Sequence, residues 1–451
     1  MKVALLLLAL QLGQQPTPFL GGVPTGTVSA EPIALSIGDA INRGLDHNLG
    51  VLTSEQAADH ARGARWIALA DLLPNISGRL TESREMINLA VFGFPLPPGV
   101  PSLVGPLNVF DARVFVTQSV FDLNEINTSR ASAHTAEAAR YSYKSARDLV
   151  VLVSANLYLQ ALAASARAES ARAQSETAQA LYTQAVDLKQ GGLVAGIDVL
   201  RAQVEFNTEQ QRATATANDF EKAKLQLARV IGLPIGQTFT LSDEIPYTPV
   251  PEMTLDQALE RAYTARPDYQ AALERVRAAE ASRAAALATA LPSVHVTADF
   301  GDLGLSPSDA RGTYTVTGAL NVPIFQGGRT RGKLLEADAD LRTRRAEADD
   351  LKAQVYYDVR TAFLDLTASA QQLDVASKTR DLAAAQLTQA RDRFASGVAS
   401  NIEVVQAQGA VALANEQYIG GLYSFNVSKA SLARALGVAE GAVRQYLGGS
   451  R

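Results

Sequence analysis

The histidines are the side chains of this sequence best suited to bind a metal ion or to transfer a proton near neutral pH. The four histidines, His47, His60, His134 and His295, lie far apart, and the 451-residue chain contains no cysteine. Their spacing matches no metal-binding motif. The sequence also lacks a phosphate-binding loop, a nucleophile elbow and an HExxH motif. It therefore predicts neither an enzyme nor a bound cofactor.

The composition narrows the choice of partners and of membrane anchors. Charged residues make up 19% of the chain and the net charge is −5, so no nucleic-acid partner is expected. Without cysteine there is no disulfide and no lipidated cysteine, so any membrane anchor must come from the fold. Lys2 precedes an apolar run at 3–10, and small residues stand at 28–30. This pattern predicts an export signal at 1–30; the alternative is a cytoplasmic tail with a chance leucine run.

The elements that must position any functional side chain occur twice in the sequence. Residues 35–41 match 253–259, and residues 231–233 match 436–438. Such an internal repeat predicts that each half folds on the same plan, with short helices first, then strands, then two long helices. The first predicted repeat spans 31–233, with a β-hairpin at 75–121 and a helical hairpin at 124–231. A linker at 234–252 follows. The second predicted repeat spans 253–438, with a β-hairpin at 293–322 and a helical hairpin at 328–436, and a tail occupies 439–451.

Polar and apolar residues alternate in two runs of each repeat, which predicts strands with one apolar and one polar face. In the run 293–300, every even position is apolar and every odd position is polar. Alternation alone favours a soluble sheet packed on one side. However, the four strands of one chain cannot close a barrel, and open sheet edges are not tolerated in lipid. Three chains would supply twelve strands, an even number that is allowed for an outer-membrane barrel. The positions that we predict to face lipid are Ile76, Leu80, Val114, Val116, Val294, Val296, Phe300, Tyr314, Val316 and Leu320.

Two long segments without proline, 124–190 and 328–395, are rich in residues that favour helix. Apolar residues recur in them every seven positions, which predicts helices that coil around their neighbours. Segment 149–166 carries no charge and has nearly the length of a transmembrane helix. Its repeat partner near 353–370 contains three charged residues, so we interpret segment 149–166 as a buried helix.

Three motifs combine with the duplication into a recognisable pattern. They are GLVAGIDVLRAQ at 192–203, PIFQGGR at 323–329 and ALGV at 435–438. With these motifs in this order, the sequence resembles the TolC-type outer-membrane efflux family over nearly the whole chain after the signal. The resemblance implies an α+β membrane protein in the outer membrane of a Gram-negative-type bacterium. Its fold would be a homotrimer with a twelve-stranded antiparallel β-barrel, continued in the periplasm by a long α-helical coiled-coil barrel.

The resemblance also implies the partners of the protein. Such channels passively conduct exported substrates for efflux or type I secretion systems, together with a periplasmic adaptor, an inner-membrane transporter and outer-membrane lipid. The family's adaptor contacts fall on the tips of the helical hairpins, although glycine is needed there for helix capping in any case. The corresponding tip residues are Gly192, Leu193, Val194, Gly397, Val398 and Ala399.

A gate is the other site that the resemblance implies. Family members narrow the periplasmic mouth with acidic side chains just after the second tip, where this chain has Glu403, with Gln406 one helical turn on. Asp198 is the matching residue of the first hairpin. Facing carboxylates would repel each other and attract cations; alternatively, Glu403 only favours the helix dipole. Relatives hold the closed state through a tyrosine and an arginine, where this chain has Phe394 and Ala399, so the latch is expected to differ.

Two other protein classes contain long helices. A periplasmic adaptor-like protein would not carry hairpins in duplicate. A cytoplasmic coiled-coil scaffold would explain neither the signal nor the alternating strands.

Overall fold

The computed structural model describes residues 18–93, 99, 101–192, 194–245, 247, 253–396, 398 and 401–441. These residues form two compact units, each built from separate stretches of the chain. The helical unit contains the described parts of Met1–Ala57, Arg140–Gln270 and Asp350–Arg451. The strand unit contains the described parts of Ala58–Ala139 and Ala271–Asp349. Residues 1–17 of the predicted signal and 442–451 of the predicted tail lie outside the described residues.

Helices and strands follow each other in the same order in both halves of the described chain. Ser36 and Thr254 begin the two halves with the same device, in which the side-chain oxygen accepts a hydrogen bond from the backbone N–H three residues on. The helices are α1 (Ile37–His47), α2 (Leu49–Ala70), α3 (Leu123–Gln190), α4 (Gly196–Val230), α5 (Leu255–Ala265), α6 (Pro267–Ala288), α7 (Arg329–Ala395) and α8 (Asn401–Ala435). The strands are β1 (Ile33–Leu35), β2 (Asn75–Asn88), β3 (Leu103–Phe121), β4 (Phe239–Leu241), β5 (Ser293–Gly304) and β6 (Arg311–Asn321).

The core of the helical unit surrounds the middle of α3, where Tyr158 is fully buried. The Tyr158 hydroxyl lies 2.8 Å from Leu35 O and 2.9 Å from the Asp243 carboxylate, so it joins α3 to the small parallel sheet of β1 and β4. Burial and the bond to Asp243 raise the pKa of Tyr158, so the hydroxyl remains protonated. Among the described helices, α3 is the one long and apolar enough to cross a membrane, yet half of its most apolar stretch is buried. Segment 149–166 thus contributes to a protein core.

Residues 18–29 are bound to the helical unit. The buried Asn48 donates from Nδ2 to Phe19 O at 2.9 Å, and the Ser29 N–H donates to Gln237 Oε1 at 2.7 Å. Cleavage at the end of the predicted signal would remove these contacts.

Four strands form one antiparallel sheet in the strand unit, in the order β2-β3-β5-β6. Two strands come from each half of the chain, and the β3–β5 ladder joins the halves. The strands contain 14, 19, 12 and 11 residues, more than the nine or so that the alternation predicts. They are longer because the ladder continues where alternation stops: β2 remains paired with β3 as far as Asn88 and Leu103.

Candidate membrane face, gate and hairpin tips

The strand register places all ten predicted apolar positions on one face of the sheet. Residues directly opposite in neighbouring strands point to the same face. One such row runs across the four strands through Ile76, Val116, Ala298 and Val316. The next row contains Gly78, Val114, Phe300 and Tyr314.

The apolar face is strongly exposed in the single chain. Ile76, Phe300 and Tyr314 are 68%, 66% and 76% exposed, whereas Val294 and Val296 are half-buried. A contiguous apolar surface of this kind marks contact with a membrane or with another protein.

The opposite face is polar and carries a charged network that sequence reasoning missed. Arg113 Nε donates to Asp111 Oδ1 at 3.0 Å, and its Nη2 donates to Thr313 Oγ1 at 3.2 Å. Its Nη1 donates to the carboxylate of Asp299. The network therefore ties β3 to β5 and β6. Arg113 and Asp299 belong to different halves of the chain, so no local pattern could have paired them.

Phe115, which interrupts the alternation of β3, also lies on the polar face. It pairs with Ser77 on one side and Asp299 on the other. The guanidinium of Arg79 lies 5.3 Å from the centroid of its ring. A cation over an aromatic ring is favourable, so the ring has a partner on a face that otherwise suits polar groups.

β2 and β6 are the edge strands of this sheet within the described residues. β2 pairs with β3, and β6 pairs with β5, so each edge strand is paired along one side. The other side of each strand presents backbone N–H and C=O groups that could pair with another strand. In lipid an unsatisfied backbone group costs several kcal/mol, so this sheet cannot be inserted alone.

At both hairpin tips, a backbone hydrogen bond closes the end of the long helix. Gly192 has a φ of +72° after the end of α3, and its N–H donates to Lys189 O at 3.0 Å. At the second tip, the Val398 N–H donates to Arg393 O at 3.0 Å, and Val398 is 72% exposed. Val194 is half-buried. The other predicted tip residues, Leu193, Gly397 and Ala399, lie outside the described residues.

The acidic gate candidates each lie near a guanidinium of their own hairpin. Glu403 Oε2, in the first turn of α8, lies 3.7 Å from Nη2 of Arg393 near the end of α7. Asp198 Oδ1, in the first turn of α4, accepts a hydrogen bond from Arg201 Nη1 at 3.4 Å. Gln406 is exposed. The charge of Glu403 is therefore partly compensated within the chain, which the resemblance did not predict.

Phe394, at the position of the family's latch tyrosine, packs in a small apolar cluster at this end of the helical unit. Its neighbours include the buried residues Ala390, Val404 and Ala407 of α7 and α8. Its ring has no hydroxyl, so it contributes to packing and cannot hydrogen-bond to an acid.

A sequence profile of the outer membrane efflux protein family matches residues 40–233 and 256–438. The chain belongs to this family.

Outer membrane protein TolC of Escherichia coli K12 is 22% identical over 350 residues, which are 73% of this chain and 70% of TolC. The pyoverdine export outer membrane protein OpmQ of Pseudomonas putida is 22% identical over 407 residues, 88% of this chain and 84% of OpmQ. The outer membrane channel CmeC of Campylobacter jejuni has a TM-score of 0.75 at 17% identity, over 93% of this chain and 91% of CmeC.

Membership of the outer membrane efflux protein family confirms the resemblance seen in the sequence motifs. The protein is an outer-membrane efflux channel protein. The two matched stretches begin and end close to the two predicted repeats, separated by the proline-rich linker. CmeC shares the fold over both stretches.

Proposed function

We propose that three copies of this chain close a twelve-stranded barrel through which exported substrates leave the cell. The observation that carries the proposal is the four-stranded sheet, with one exposed apolar face, one polar face and an open edge on either side. Pairing β6 of each copy with β2 of the next would satisfy both edges at once. Because bacterial outer-membrane barrels have an even number of strands, twelve is an allowed total.

In such a barrel the apolar face contacts lipid and the polar face lines the channel. The ten apolar positions listed from the sequence would then form the lipid surface. The Arg113 network would lie in the lumen, where the conducted substrate passes a ring of three such networks. The long helices of the three copies would continue the channel as a coiled-coil tunnel in the periplasm.

The channel has no energy source of its own in this proposal. It would depend on an inner-membrane transporter and a periplasmic adaptor, in an efflux or type I secretion system. The adaptor would contact the two hairpin tips, at Gly192, Val194 and Val398 together with the neighbouring tip positions. Gly192 supports this assignment because a Cβ built on it meets no atom within 4 Å, so the tip surface is open at that point.

The cysteine-free sequence allows a direct test of the trimer. Ser77→Cys on β2 would be combined in turn with Thr313→Cys, Thr315→Cys or Thr317→Cys on β6, all at polar-face positions. In one chain these strands are about three strand spacings, roughly 14 Å, apart, too far for a disulfide. Any disulfide must therefore join two copies, and we expect a covalent trimer on a non-reducing gel for at least one pair.

The matched control for the cross-linking test is Ser77→Cys with Thr297→Cys. Thr297 lies on β5, which is paired on both sides, so it should form no cross-link. Covalent dimers alone, or no product from any of the three pairs, would contradict a closed trimer.

In cross-linked trimers, Gly192→Trp should leave the covalent trimer intact and abolish co-purification of the adaptor from the bacterial envelope. Adaptor retention would remove the tip assignment.

Glu403 is the acidic residue that we propose for the gate. In a trimer three Glu403 carboxylates would approach one narrow lumen and favour cations, while the nearby Arg393 would offset part of this charge. In planar-bilayer recordings, Glu403→Gln should lower cation selectivity and Arg393→Gln should raise it. The two opposite changes control for each other, since a general disturbance of the tip would shift both variants in the same direction. Unchanged reversal potentials in both variants would remove Glu403 from the gate.

A further inference from the structure

A half-open cavity lies in the helical unit, between side chains of α3, α4, α7 and α8. Its volume is about 490 Å³, and all its lining residues belong to one chain and one unit. At about 30 Å³ per water molecule, it is many times larger than a single bound water or metal ion. Its polar lining includes Gln174, Glu205, Glu209, Arg380, Arg391 and Gln408.

Three hydrogen-bond acceptors at this cavity are buried without a partner among the described residues. They are Gln174 Oε1 on α3, Glu209 Oε2 on α4 and Gln408 Oε1 on α8. Glu209 is only 8% exposed as a residue. A buried acceptor without a donor costs free energy, and a buried carboxylate costs more, so three on one cavity imply that a donor normally occupies it.

Three of the side-chain donors that line the cavity, those of Gln174, Asn415 and Arg380, are already engaged. Gln174 Nε2 and Asn415 Nδ2 both donate to Ser170 Oγ, at 3.3 and 3.4 Å. The guanidinium of Arg380 lies 4.0 Å from the ring centroid of Tyr418 and donates to the carboxylate of Asp381. These side chains therefore do not supply the missing hydrogen bonds.

Nearby charges also favour a cation in the cavity. Burial raises the pKa of Glu205, and the neighbouring carboxylate of Glu209 raises it further. The two carboxylates lie one turn apart on the same face of α4 and therefore repel each other. Glu209 forms an ion pair with Arg212, but its Oε1 lies 3.9 Å from Nη1 of Arg212, too far for a hydrogen bond. Arg391 also lines the cavity but is exposed, so its charge is screened by solvent.

We propose that this cavity binds an organic cation that carries several N–H donors, of the aliphatic polyamine type. The three acceptors lie on three different helices, so a ligand that satisfies all of them must offer more than one N–H donor. A bare metal ion fits less well, because the described residues contain no group of three or more histidine or acidic ligands arranged to hold one. All the lining residues belong to one chain, so the inference does not depend on the barrel or the gate.

The test is isothermal titration calorimetry of the full-length detergent-purified protein with spermidine, with magnesium chloride of equal ionic strength as the reference titration. We expect one spermidine per protomer and no comparable heat from Mg²⁺. Glu209→Gln should weaken binding at least tenfold, the loss expected for one charge-assisted hydrogen bond. Gln408→Met, which removes a neutral acceptor, should weaken it several-fold.

The matched control is Glu221→Gln, on the same helix but in an exposed pair with Lys224. It removes the same charge outside the cavity and should leave spermidine binding unchanged. Thermal unfolding of each variant shows whether it remains folded, and spermidine should raise the melting temperature of the native protein but not that of Glu209→Gln. The proposal is overturned if spermidine does not bind, if the control weakens binding as much as Glu209→Gln, or if both cavity variants bind like the native protein. In each of those cases the cavity holds only water.

Discussion

The two halves of the chain differ in their strands far more than in their helices. The first two helices have 11 and 22 residues in both halves, and the hairpin helices have 68 and 35 residues in one half and 67 and 35 in the other. The strands have 14 and 19 residues in the first half but 12 and 11 in the second. Helices that pack side by side must match in length, whereas a hairpin can extend at its loop end without disturbing its neighbours.

The halves also fill one equivalent buried position with different chemistry. Asn48 follows α1 and Arg266 follows α5, and the backbone N–H of each donates to the carbonyl four residues earlier. Both side chains are buried, at 0% and 4% exposure. Asn48 is satisfied by backbone groups outside the predicted signal as well, namely Val230 O and the N–H of Gly50. The buried position between the first two helices of each half is thus filled by a polar side chain whose hydrogen bonds are satisfied, but the side chain can differ between the halves.

Arg266 instead forms ion pairs with two carboxylates. Its Nη2 lies 2.6 Å from Asp268 Oδ2, and its Nη1 lies 2.8 Å from Asp358 Oδ2 on α7. Burial alone would raise the pKa of Asp268, but the hydrogen bonds from Arg266 outweigh it and hold that pKa below its usual value. This contribution to stability is therefore present above the unfolded-state pKa of about 4 and is lost as the pH falls through the lower folded-state pKa.

Among substitutions that compare the two halves, we expect Arg266→Met to cause the largest loss of stability. Removing the guanidinium leaves two partly buried carboxylates without their partner, and we expect a loss of roughly 3 kcal/mol in the free energy of unfolding at pH 7. The loss should shrink as the pH is lowered below about 4, because the stability that Asp268 gains from Arg266 is lost as its carboxylate becomes protonated. Asn48→Leu should cost about 2 kcal/mol with little dependence on pH, because its partners are uncharged. Denaturant titrations followed by circular dichroism at several pH values measure both.

A triple variant controls for the loss of packing around Arg266. Asp268→Asn and Asp358→Asn added to Arg266→Met remove the unpaired charges and should recover much of the stability. An equal loss for Arg266→Met at pH 3 and pH 7 would contradict the ionic account and make the two halves alike at this position.

Much of this fold could be predicted from the sequence because its signals are local. Proline-free segments bounded by glycine locate the long helices to within a few residues: the helix expected at 124–190 is Leu123–Gln190. Period-two alternation separates the faces of a strand, which is why the apolar positions of all four strands share a face. The motifs sufficed to identify the family.

Contacts between the halves could not be predicted in the same way. The bond from Arg113 to Asp299 depends on the register of β3 against β5, and that register includes an irregularity near Ser119. The cavity acceptors belong to three helices whose relative rotation no local pattern specifies. The partner of Glu403, Arg393, lies ten positions away on the other helix of the hairpin.

A smaller effect should come from two glycines that mark the same contact in both halves. Gly232 and Gly437 follow α4 and α8 with φ values of +63° and +70°. A Cβ on Gly232 would lie 2.6 Å from the Cβ of His47, and one on Gly437 would lie 2.6 Å from the Cα of Arg266.

Each alanine substitution should therefore cost about 2 kcal/mol in the same denaturant titration, through backbone strain and displacement of a neighbour. Gly437→Ala should cost more, because the three atoms nearest its added Cβ are all backbone atoms within 2.8 Å, whereas the Cβ on Gly232 would meet one side-chain atom, His47 Cβ, and one backbone oxygen, Val23 O, both at 2.6 Å. Gly236→Ala is the matched control, since its φ is +88° with no atom within 4 Å of the added Cβ, so it reports the strain alone. If all three variants lose the same stability, the close contacts contribute nothing and the halves are equivalent here only in backbone conformation.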